Sequence, residues 1–332
     1  MRLGSEQRTV HARDSSTLAR LRASSRCALL GKGYCPRAQR AVQANRVAVL
    51  TTVVWVRGVR VGLGGRTRFG ATCEEAGPKV LAALPESQPQ RLFSVAAGSA
   101  TVAQCSTATD RDALVGRLRK QGSLRRAPRS RRRGQRGRSP GHGPVLPPGA
   151  QQPEGCADED TTLTVEDRQV RVRRWNKLHF ARAPKTVSAV VGVDAPLYKR
   201  PLVIGTPAPE LTTDEIRQAY AYRWPVETNF FVAQGTGAMA MPRAWTAQAV
   251  SRRISLALLA GSLLKALAAA CAALPMGPWD RKAVTSAGRL ANHLDIHARN
   301  FATLALQGVA PRKYRKMTEA NHTNDLQLPL AA

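Results

Sequence analysis

An acid-free run of basic residues divides this chain of 332 residues and limits how it can fold. The run covers 117–138 and reads RLRKQGSLRRAPRSRRRGQRGR, with eleven Lys or Arg in 22 positions and no Asp or Glu. Charge at this density cannot be buried in a core, and like charges repel unless an anion neutralises them. We therefore predict an exposed arm over 117–149, where Gly and Pro follow the basic run, and expect it to contact nucleic acid.

The rest of the chain is also basic. Its 51 Lys and Arg against 22 Asp and Glu give a formal net charge of +29, with a sequence pI of about 11.4. Such a charge favours a polyanionic partner, either nucleic acid or an acidic membrane surface. An Arg-rich composition is also what a GC-rich genome encodes, so the placement of the charge carries more weight than its total. The hydrophobic fraction of 43% is enough for a buried core.

Strand patterns precede helical patterns along the chain, which predicts a mixed α/β fold. Residues 46–63 read as two strands joined at Arg57-Gly58, and 161–174 read as a hairpin that turns near Glu166-Asp167. Further strands are predicted at 91–97, 175–180, 185–193 and 201–205, a helix at 76–84 beginning with Gly77-Pro78, and a short helix or strand at 110–119. From Leu211 to about Leu306 the pattern is helical, and the apolar stretch 254–276 is interpreted as a buried core helix because Lys265 interrupts it.

These patterns divide the chain into five predicted parts. They are 1–116, the first part of the core; 117–149, the basic Arg/Gly/Pro-rich arm; 150–210, a β-rich insertion and return strand; 211–274, helices that complete the core; and 275–332, a helical C-terminal region with a basic tail.

A helical constellation lies in the fourth part. Residues 211–234 read LTTDEIRQAYAYRWPVETNFFVAQ, and Thr212 followed by Glu215 predicts a capping box at a helix start. Pro225 predicts a kink or a second helix start. Glu227 then falls in a first helical turn, where the helix dipole favours a carboxylate. On spacing alone, this carboxylate beside Tyr220 and Arg223 is also compatible with a structural ion pair.

The stretch Tyr220-x-x-Arg223-x-x-x-Glu227, with Phe230-Phe231 following, resembles the Y-R-E-K signature of bacterial insertion-sequence DDE transposases. The preceding PLVIGTPAPELTTDEI and the arm DRDALVGRLRKQGSLRRAP to GQRGRSPGHG resemble the corresponding segments of that family. The resemblance covers roughly 14–270 and is specific at 200–232 and 112–143.

The resemblance implies an RNase H-like mixed-sheet core with a β-rich insertion before the Glu-bearing helix and a helical C-terminal part. It implies that Asp14 and Glu227 are catalytic carboxylates that bind Mg²⁺ (or Mn²⁺) at a phosphodiester. It further implies that Tyr220, Arg223 and the position of Gln234 contact DNA phosphates. The arm residues expected to bind DNA are Arg117, Arg119, Lys120, Arg125, Arg126, Arg129, Arg131, Arg132, Arg133, Arg136 and Arg138.

Three departures from the family pattern bear on activity. The signature Lys is replaced by Gln234, which brings no charge. The second catalytic Asp should follow the strand RLFSV, where Ala97 stands instead, and Asp110 or Asp112 is the alternative source of this carboxylate. The residues GSEQRTVHA before Asp14 have the composition of a poor central strand.

The leading functional hypothesis is a DNA transposase that cleaves transposon ends and transfers strands, with activity reduced or lost through the Ala97 replacement. The alternatives are a catalytically dead DNA-binding remnant of a transposase and a basic RNA-binding protein. The expected partners are double-stranded DNA, both transposon ends and target, and a second copy of the chain in a homodimer on DNA. No membrane association is expected, and the resemblance implies a bacterial, cytoplasmic, nucleoid-associated location.

Overall fold

The structure is a computed structural model. It describes residues 2–3, 6–20, 30–35, 38–70, 72–84, 90–96, 112–118, 124–128, 141–143, 145–146, 157–165, 167–180, 183–194, 202–235, 239, 246–271 and 286–309. For 2–3, 6–7, 73–74, 146, 183–194 and 299–309 it describes the backbone alone. The chain forms two compact units, Met1–Ala266 and Leu267–Ala332. The second unit contains the end of one long helix and a further helix.

Fourteen strands and five helices are defined within the described residues. The strands are β1 Arg2–Leu3, β2 Glu6–Gln7, β3 Thr9–Ala19, β4 Leu30–Cys35, β5 Arg40–Val56, β6 Val59–Phe69, β7 Arg91–Val95, β8 Asp112–Arg117, β9 Leu124–Arg126, β10 Val145–Leu146, β11 Glu159–Val165, β12 Arg168–Phe180, β13 Ala183–Asp194 and β14 Leu202–Thr206. The helices are α1 Cys73–Leu81, α2 Thr213–Ala221, α3 Trp224–Gly235, α4 Ala247–Ala270 and α5 Ala287–Val309.

Twelve of the strands form one mixed sheet. Its order is β10-β9-β12-β13-β14-β8-β7-β3-β5-β4, with β6 also paired to β5 and β11 also paired to β12. β7 is parallel to both β3 and β8, and the other pairs are antiparallel. The chain is therefore a mixed α/β protein, as predicted.

Apolar side chains cover both faces of the sheet. Val10, Ala12 and Leu92 point to the face on which α2, α3 and the first part of α4 pack. Phe93 and Val95 point to the opposite face, on which α1 packs. Because successive residues of a strand alternate between faces, a residue's position in a strand decides which helices it meets.

Both predicted hairpins are confirmed. β5 and β6 are joined at Arg57-Gly58, where φ is +48° and +79°, the left-handed values that a two-residue hairpin turn needs. β11 and β12 are joined at a turn that includes Asp167. The segment 110–119, for which a short helix or strand was the prediction, contains the strand β8. α1 begins at Cys73 rather than at Gly77-Pro78, because Thr72 caps it by accepting a hydrogen bond from the Glu75 N–H at 3.1 Å.

The prediction of a poor strand before Asp14 is wrong. β3 is central and pairs with β5 on one side and β7 on the other. Two buried polar residues interrupt the apolar pattern expected of a central strand. His11 stacks on Phe93 with ring centroids 5.4 Å apart, and Arg13 is completely buried. Composition misled here because tertiary packing shields the imidazole and the guanidinium.

The prediction of an exposed arm over 117–149 is partly wrong. Arg117 ends β8, and Arg125 and Arg126 lie on β9, which pairs with β12. Leu124 is buried beside them and anchors β9 to the core. The remaining basic positions of the arm lie outside the described residues.

The predicted core helix 254–276 corresponds to α4 and is buried on one face only. Ile254, Leu258 and Ser262 are buried, whereas Leu256 and Leu263 are exposed. By length and composition alone α4 qualifies as a candidate membrane span, with 28% of its apolar window buried.

Candidate functional site

The parallel pairing of β3, β7 and β8 ends at the carboxyl ends of β7 and β8, beside the middle of β3, and brings three residues into one row there. The strand register pairs Arg13 with Val95 and Val95 with Gly116. The residues that follow are Asp14 after Arg13, Ala96 after Val95 and Arg117 after Gly116. All three face the side of the sheet that carries α2 and α3. The row is therefore Asp14, Ala96 and Arg117.

Local sequence signals place the helices over this row. Thr212 and Glu215 form the predicted capping box at the start of α2, with Thr212 N–H donating to Glu215 Oε2 at 2.8 Å. α2 ends at Ala221, and α3 begins again at Trp224, so the predicted break before Pro225 is confirmed. The Ser94 hydroxyl on β7 donates to the Tyr220 carbonyl at 3.3 Å and fixes the end of α2 against the sheet.

Arg223 joins two carboxylates that are distant in sequence. Its Nη1 lies 3.7 Å from Asp14 Oδ2 and also forms an ion pair with Glu227 Oε1. Of the three side chains, Glu227 is the most exposed, at 34%. One cation thus bridges both carboxylates that the sequence predicted to share a site.

Two carboxylates contact one guanidinium in this cluster, and the charge of the buried Arg13 also acts on Asp14. Burial raises the pKa of Asp14, and the Glu227 charge raises it further, against the opposing effects of the Ser15 N–H, which donates to Asp14 Oδ1 at 2.7 Å, and of Arg223. Burial alone lowers the pKa of Arg223, but the hydrogen bond to Glu227 and the surrounding charges outweigh it and raise the pKa overall. The raised pKa of Asp14 therefore follows chiefly from burial, which the nearby Arg223 and Arg13 do not fully offset.

Tyr220 and Arg117 extend the cluster with phosphate-binding groups. The Arg223 guanidinium lies 5.3 Å from the centre of the Tyr220 ring, within cation–π distance. Burial raises the pKa of Tyr220, although Arg223 and Arg117 oppose the shift. The phenol therefore stays protonated at neutral pH and can donate a hydrogen bond. Arg117 is exposed at the end of β8.

Of the other predicted DNA contacts, the structure describes Gln234, Arg125 and Arg126. Gln234 is exposed near the end of α3. Arg125 and Arg126 lie on β9, four strands away in the sheet, and Arg126 pairs with Asp158 at 3.1 Å. Arg119, Lys120, Arg129, Arg131, Arg132, Arg133, Arg136 and Arg138 lie outside the described residues.

Among the described residues, the second catalytic Asp of the family pattern has no counterpart beside Asp14. Ala97 and Asp110 lie outside the described residues, but Ala96 is described and occupies the position in register with Asp14. Asp112 is not a substitute. It lies at the amino end of β8, five register positions or about 16 Å from the row, and forms a two-pronged ion pair with Arg91 at 2.7 Å.

Lys265 is a neighbour of the site whose position the sequence did not predict. It projects from α4, and its Nζ donates to the Thr228 hydroxyl, one residue after Glu227. Burial lowers the pKa of Lys265 to about 8. Among the described residues no carboxylate lies within ion-pair distance of its ammonium group.

Asp14 and Glu227 are the carboxylates of this cluster that could hold one Mg²⁺ or Mn²⁺ ion, and the ion would have to displace the Arg223 guanidinium that now lies between them. Mg²⁺ is commonly held by one or two carboxylates while it keeps waters or substrate phosphate oxygens as its other ligands. Within the described ranges no group of three or more His, Cys, Asp or Glu side chains is close enough to hold an ion.

A scan against models of known protein families finds no match to this chain, and a search of curated proteins also finds none. Function is therefore argued from the site geometry and from the Tyr220–Arg223–Glu227 spacing.

Proposed function

We propose that this chain is a transposase-type DNA-processing protein with an RNase H-like core, which binds double-stranded DNA and cleaves phosphodiesters at transposon ends with a divalent metal ion. The observation that carries the proposal is the meeting of Asp14 and Glu227 at one nitrogen of Arg223. The Tyr220–Arg223–Glu227 spacing concerns one helical segment only and does not require Asp14, on the distant strand β3, to lie beside Glu227. The contact is therefore support for the proposal that is independent of the spacing.

The sheet arrangement supports the RNase H-like assignment. A central strand, β3, carries Asp14 and lies between the antiparallel hairpin β5–β6 and the parallel pair β7 and β8. α1 connects β6 to β7, and α3 carries Glu227 after the further strands β11 to β14. This order agrees with the core and the β-rich insertion that the resemblance implies.

Asp14 and Glu227 would hold the ion, and the surrounding residues would position DNA. A bound Mg²⁺ supplies Lewis-acid polarisation of the phosphoryl oxygen and lowers the pKa of an attacking water. Arg117 and Arg223 present guanidinium groups that match phosphate oxygens, and the protonated Tyr220 hydroxyl donates a further hydrogen bond. The net charge of +29 contributes affinity that does not depend on sequence.

One observation favours a second candidate, a DNA-binding remnant that no longer cuts. Ala96 occupies the register position beside Asp14, where a carboxylate would complete a three-acid site. Loss of a metal-binding carboxylate costs orders of magnitude in rate, since the ion is then less firmly held in its productive place. The two candidates share the DNA-binding surface and differ only in cleavage.

A cleavage assay on DNA carrying the ends of the chain's own element separates them. The full chain is incubated with Mg²⁺ or Mn²⁺, beside Glu227→Gln and a control variant, Asp214→Asn, which removes an acid of α2 paired to Arg217 rather than to Arg223. The proposal expects cutting that Glu227→Gln reduces at least about 100-fold and Asp214→Asn leaves intact. Binding without cutting supports the remnant. Preference for structured RNA over duplex DNA at matched salt contradicts both.

A further inference from the structure

A second polar cluster lies at the other end of the same sheet. The register of β12 and β9 pairs His179 with Arg125. His142 lies over them, with its Nδ1 3.0 Å from His179 Nε2 and the two ring centroids 5.3 Å apart. Among the described residues no carboxylate forms an ion pair with any of the three.

This cluster shares a sheet face with Asp14. Leu178 and Phe180 pack in the core on the α1 side, so His179 between them points to the opposite face. Leu124 also packs on the α1 side, and Arg125 therefore points to the same face as His179. β9 is four strands from β8 in the sheet order, which is about 19 Å. Duplex DNA covers such a span with about six base pairs.

The surroundings of His179 favour its neutral imidazole. His179 is 6% exposed, and burial, His142 and Arg125 all lower its pKa. In the neutral pair one imidazole N–H donates to the other ring nitrogen. One added proton converts this bond to a charged N–H···N bond and places a second positive charge beside Arg125. Arg125 Nε is buried and has no hydrogen-bond partner among the described residues.

We propose that Arg125, His142 and His179 form a binding site for one phosphate group of a nucleic-acid backbone, and that the histidine pair takes up one proton when the phosphate binds. The proposal rests on the proposed function for the identity of the polyanion. An anion offsets the charge of Arg125 and of the protonated pair, and it supplies an acceptor for the buried Nε. A divalent metal is disfavoured, because the described residues supply two imidazoles and no third ligand, and because Arg125 repels a cation.

The pH dependence follows from proton uptake. A complex that forms with uptake of a proton becomes tighter as pH falls, because protons are then a more abundant reactant. Uptake of one proton limits the gain in affinity to about tenfold for each pH step of one. Since the histidine pair titrates over only part of the range, we expect the affinity for duplex DNA at fixed salt to rise about tenfold between pH 8 and pH 6.

The test measures the affinity of the full chain for a fluorescent duplex by anisotropy at pH 6 and pH 8. His142→Gln is the main variant because His142 is only partly buried, and His293→Gln, an exposed histidine of α5, is the matched control. His142→Gln is expected to keep the affinity at pH 8 and to lose most of the rise at pH 6, whereas His293→Gln keeps the rise. Arg125→Gln is expected to lower the slope of log affinity against log salt by about 1. A full rise in His142→Gln overturns the proposal.

Imidazole NMR of the unaltered protein gives a second readout that does not depend on DNA binding. Inorganic phosphate is expected to raise the pH at which the His179 signals titrate and to shift the His142 signals. Signals that do not respond to phosphate, or that respond to Zn²⁺ instead, contradict the phosphate site. If the chain binds no duplex at either pH, the proposed function fails, and the phosphate titration alone decides whether this cluster is an anion site.

Discussion

The two ends of the parallel strands β3, β7 and β8 each hold acids and an arginine, but they differ in charge balance. At the amino ends Arg91 and Asp112 form a closed pair with two hydrogen bonds, and their side chains are 15% and 10% exposed. At the carboxyl ends one guanidinium, Arg223, serves Asp14 and Glu227 together. The first cluster is a closed one-to-one pair, whereas in the second one guanidinium contacts two carboxylates.

This difference distinguishes an ion pair that supports the fold from one that is available for function. A bidentate pair that satisfies both partners stabilises the strand ends and leaves nothing for a ligand. A buried carboxylate with a raised pKa beside a second, partly exposed carboxylate is a candidate binding site. We therefore expect substitutions at the two ends to have opposite effects on stability.

The largest effect on stability is expected at the amino ends. Asp112→Asn breaks the ion pair to the largely buried Arg91 and should lower the free energy of unfolding by about 3 kcal/mol. Urea denaturation measures the loss, and DNA affinity should remain unchanged because the pair faces no ligand. An equal loss of DNA affinity would show that this end also contributes to the interface.

The next effect is a gain of metal binding at the carboxyl ends. Ala96→Asp adds a carboxylate in register with Asp14 and should tighten Mn²⁺ binding by about 10- to 100-fold. Ala96→Asn adds a side chain of the same size without the charge and is the matched control. Calorimetric titration measures both variants. Equal affinities for the two variants would place the missing ligand elsewhere than beside Asp14.

Lys265 tests the cost of a buried charge near the same end. Burial lowers the pKa of Lys265 in the folded chain to about 8, below the value of 10.5 for an unperturbed lysine. The buried ammonium therefore destabilises the fold, and it does so fully at pH values below about 8. Lys265→Met should raise the free energy of unfolding at pH 7 by about 1 to 2 kcal/mol, allowing for its partial exposure. The penalty in the original chain is relieved as pH rises from about 8 to 10.5, so the advantage of the variant should shrink over that window. An advantage that is constant from pH 7 to pH 10 is incompatible with this cause.

The smallest effect is expected for Asp14→Asn. Because the pKa of Asp14 is raised in the folded state, its ionised form costs stability at neutral pH and not at low pH. The variant should be about 1 kcal/mol more stable at pH 7, and this difference should vanish as pH falls below the unfolded pKa of an aspartate. Denaturation at pH 3.5 and pH 7 measures the trend. A destabilised variant at pH 7 would mean that Asp14 supports the fold as Asp112 does.

The carboxyl-end site comprises Asp14, Ala96, Arg117, Arg223 and Glu227, and only its helical part is predictable from the sequence. The capping box, the break before Pro225 and the place of Glu227 in a first helical turn are local signals, and the structure confirms them. The strand of Asp14 was not predictable from composition, because His11 and Arg13 are buried by packing against distant residues. Strand register, which places Ala96 beside Asp14, depends on tertiary pairing that no local pattern specifies.

The second cluster was not predictable at all. The density of basic residues predicts that Arg125 lies in an exposed arm. In the structure its backbone pairs with β12, a strand far along the chain. His142 and His179 had no spacing that linked them. Non-local strand pairing brings the three residues together, and neither charge density nor periodicity records such pairing.

Mn²⁺ binding followed by electron paramagnetic resonance is the sharpest test of the carboxyl-end site, because free and bound Mn²⁺ give different signals and no DNA substrate is needed. We predict one specific ion on the full chain, lost in both Asp14→Asn and Glu227→Gln and kept in Asp112→Asn. Binding that survives in Asp14→Asn and in Glu227→Gln would contradict this prediction, since the two carboxylates at Arg223 would then not form a metal site.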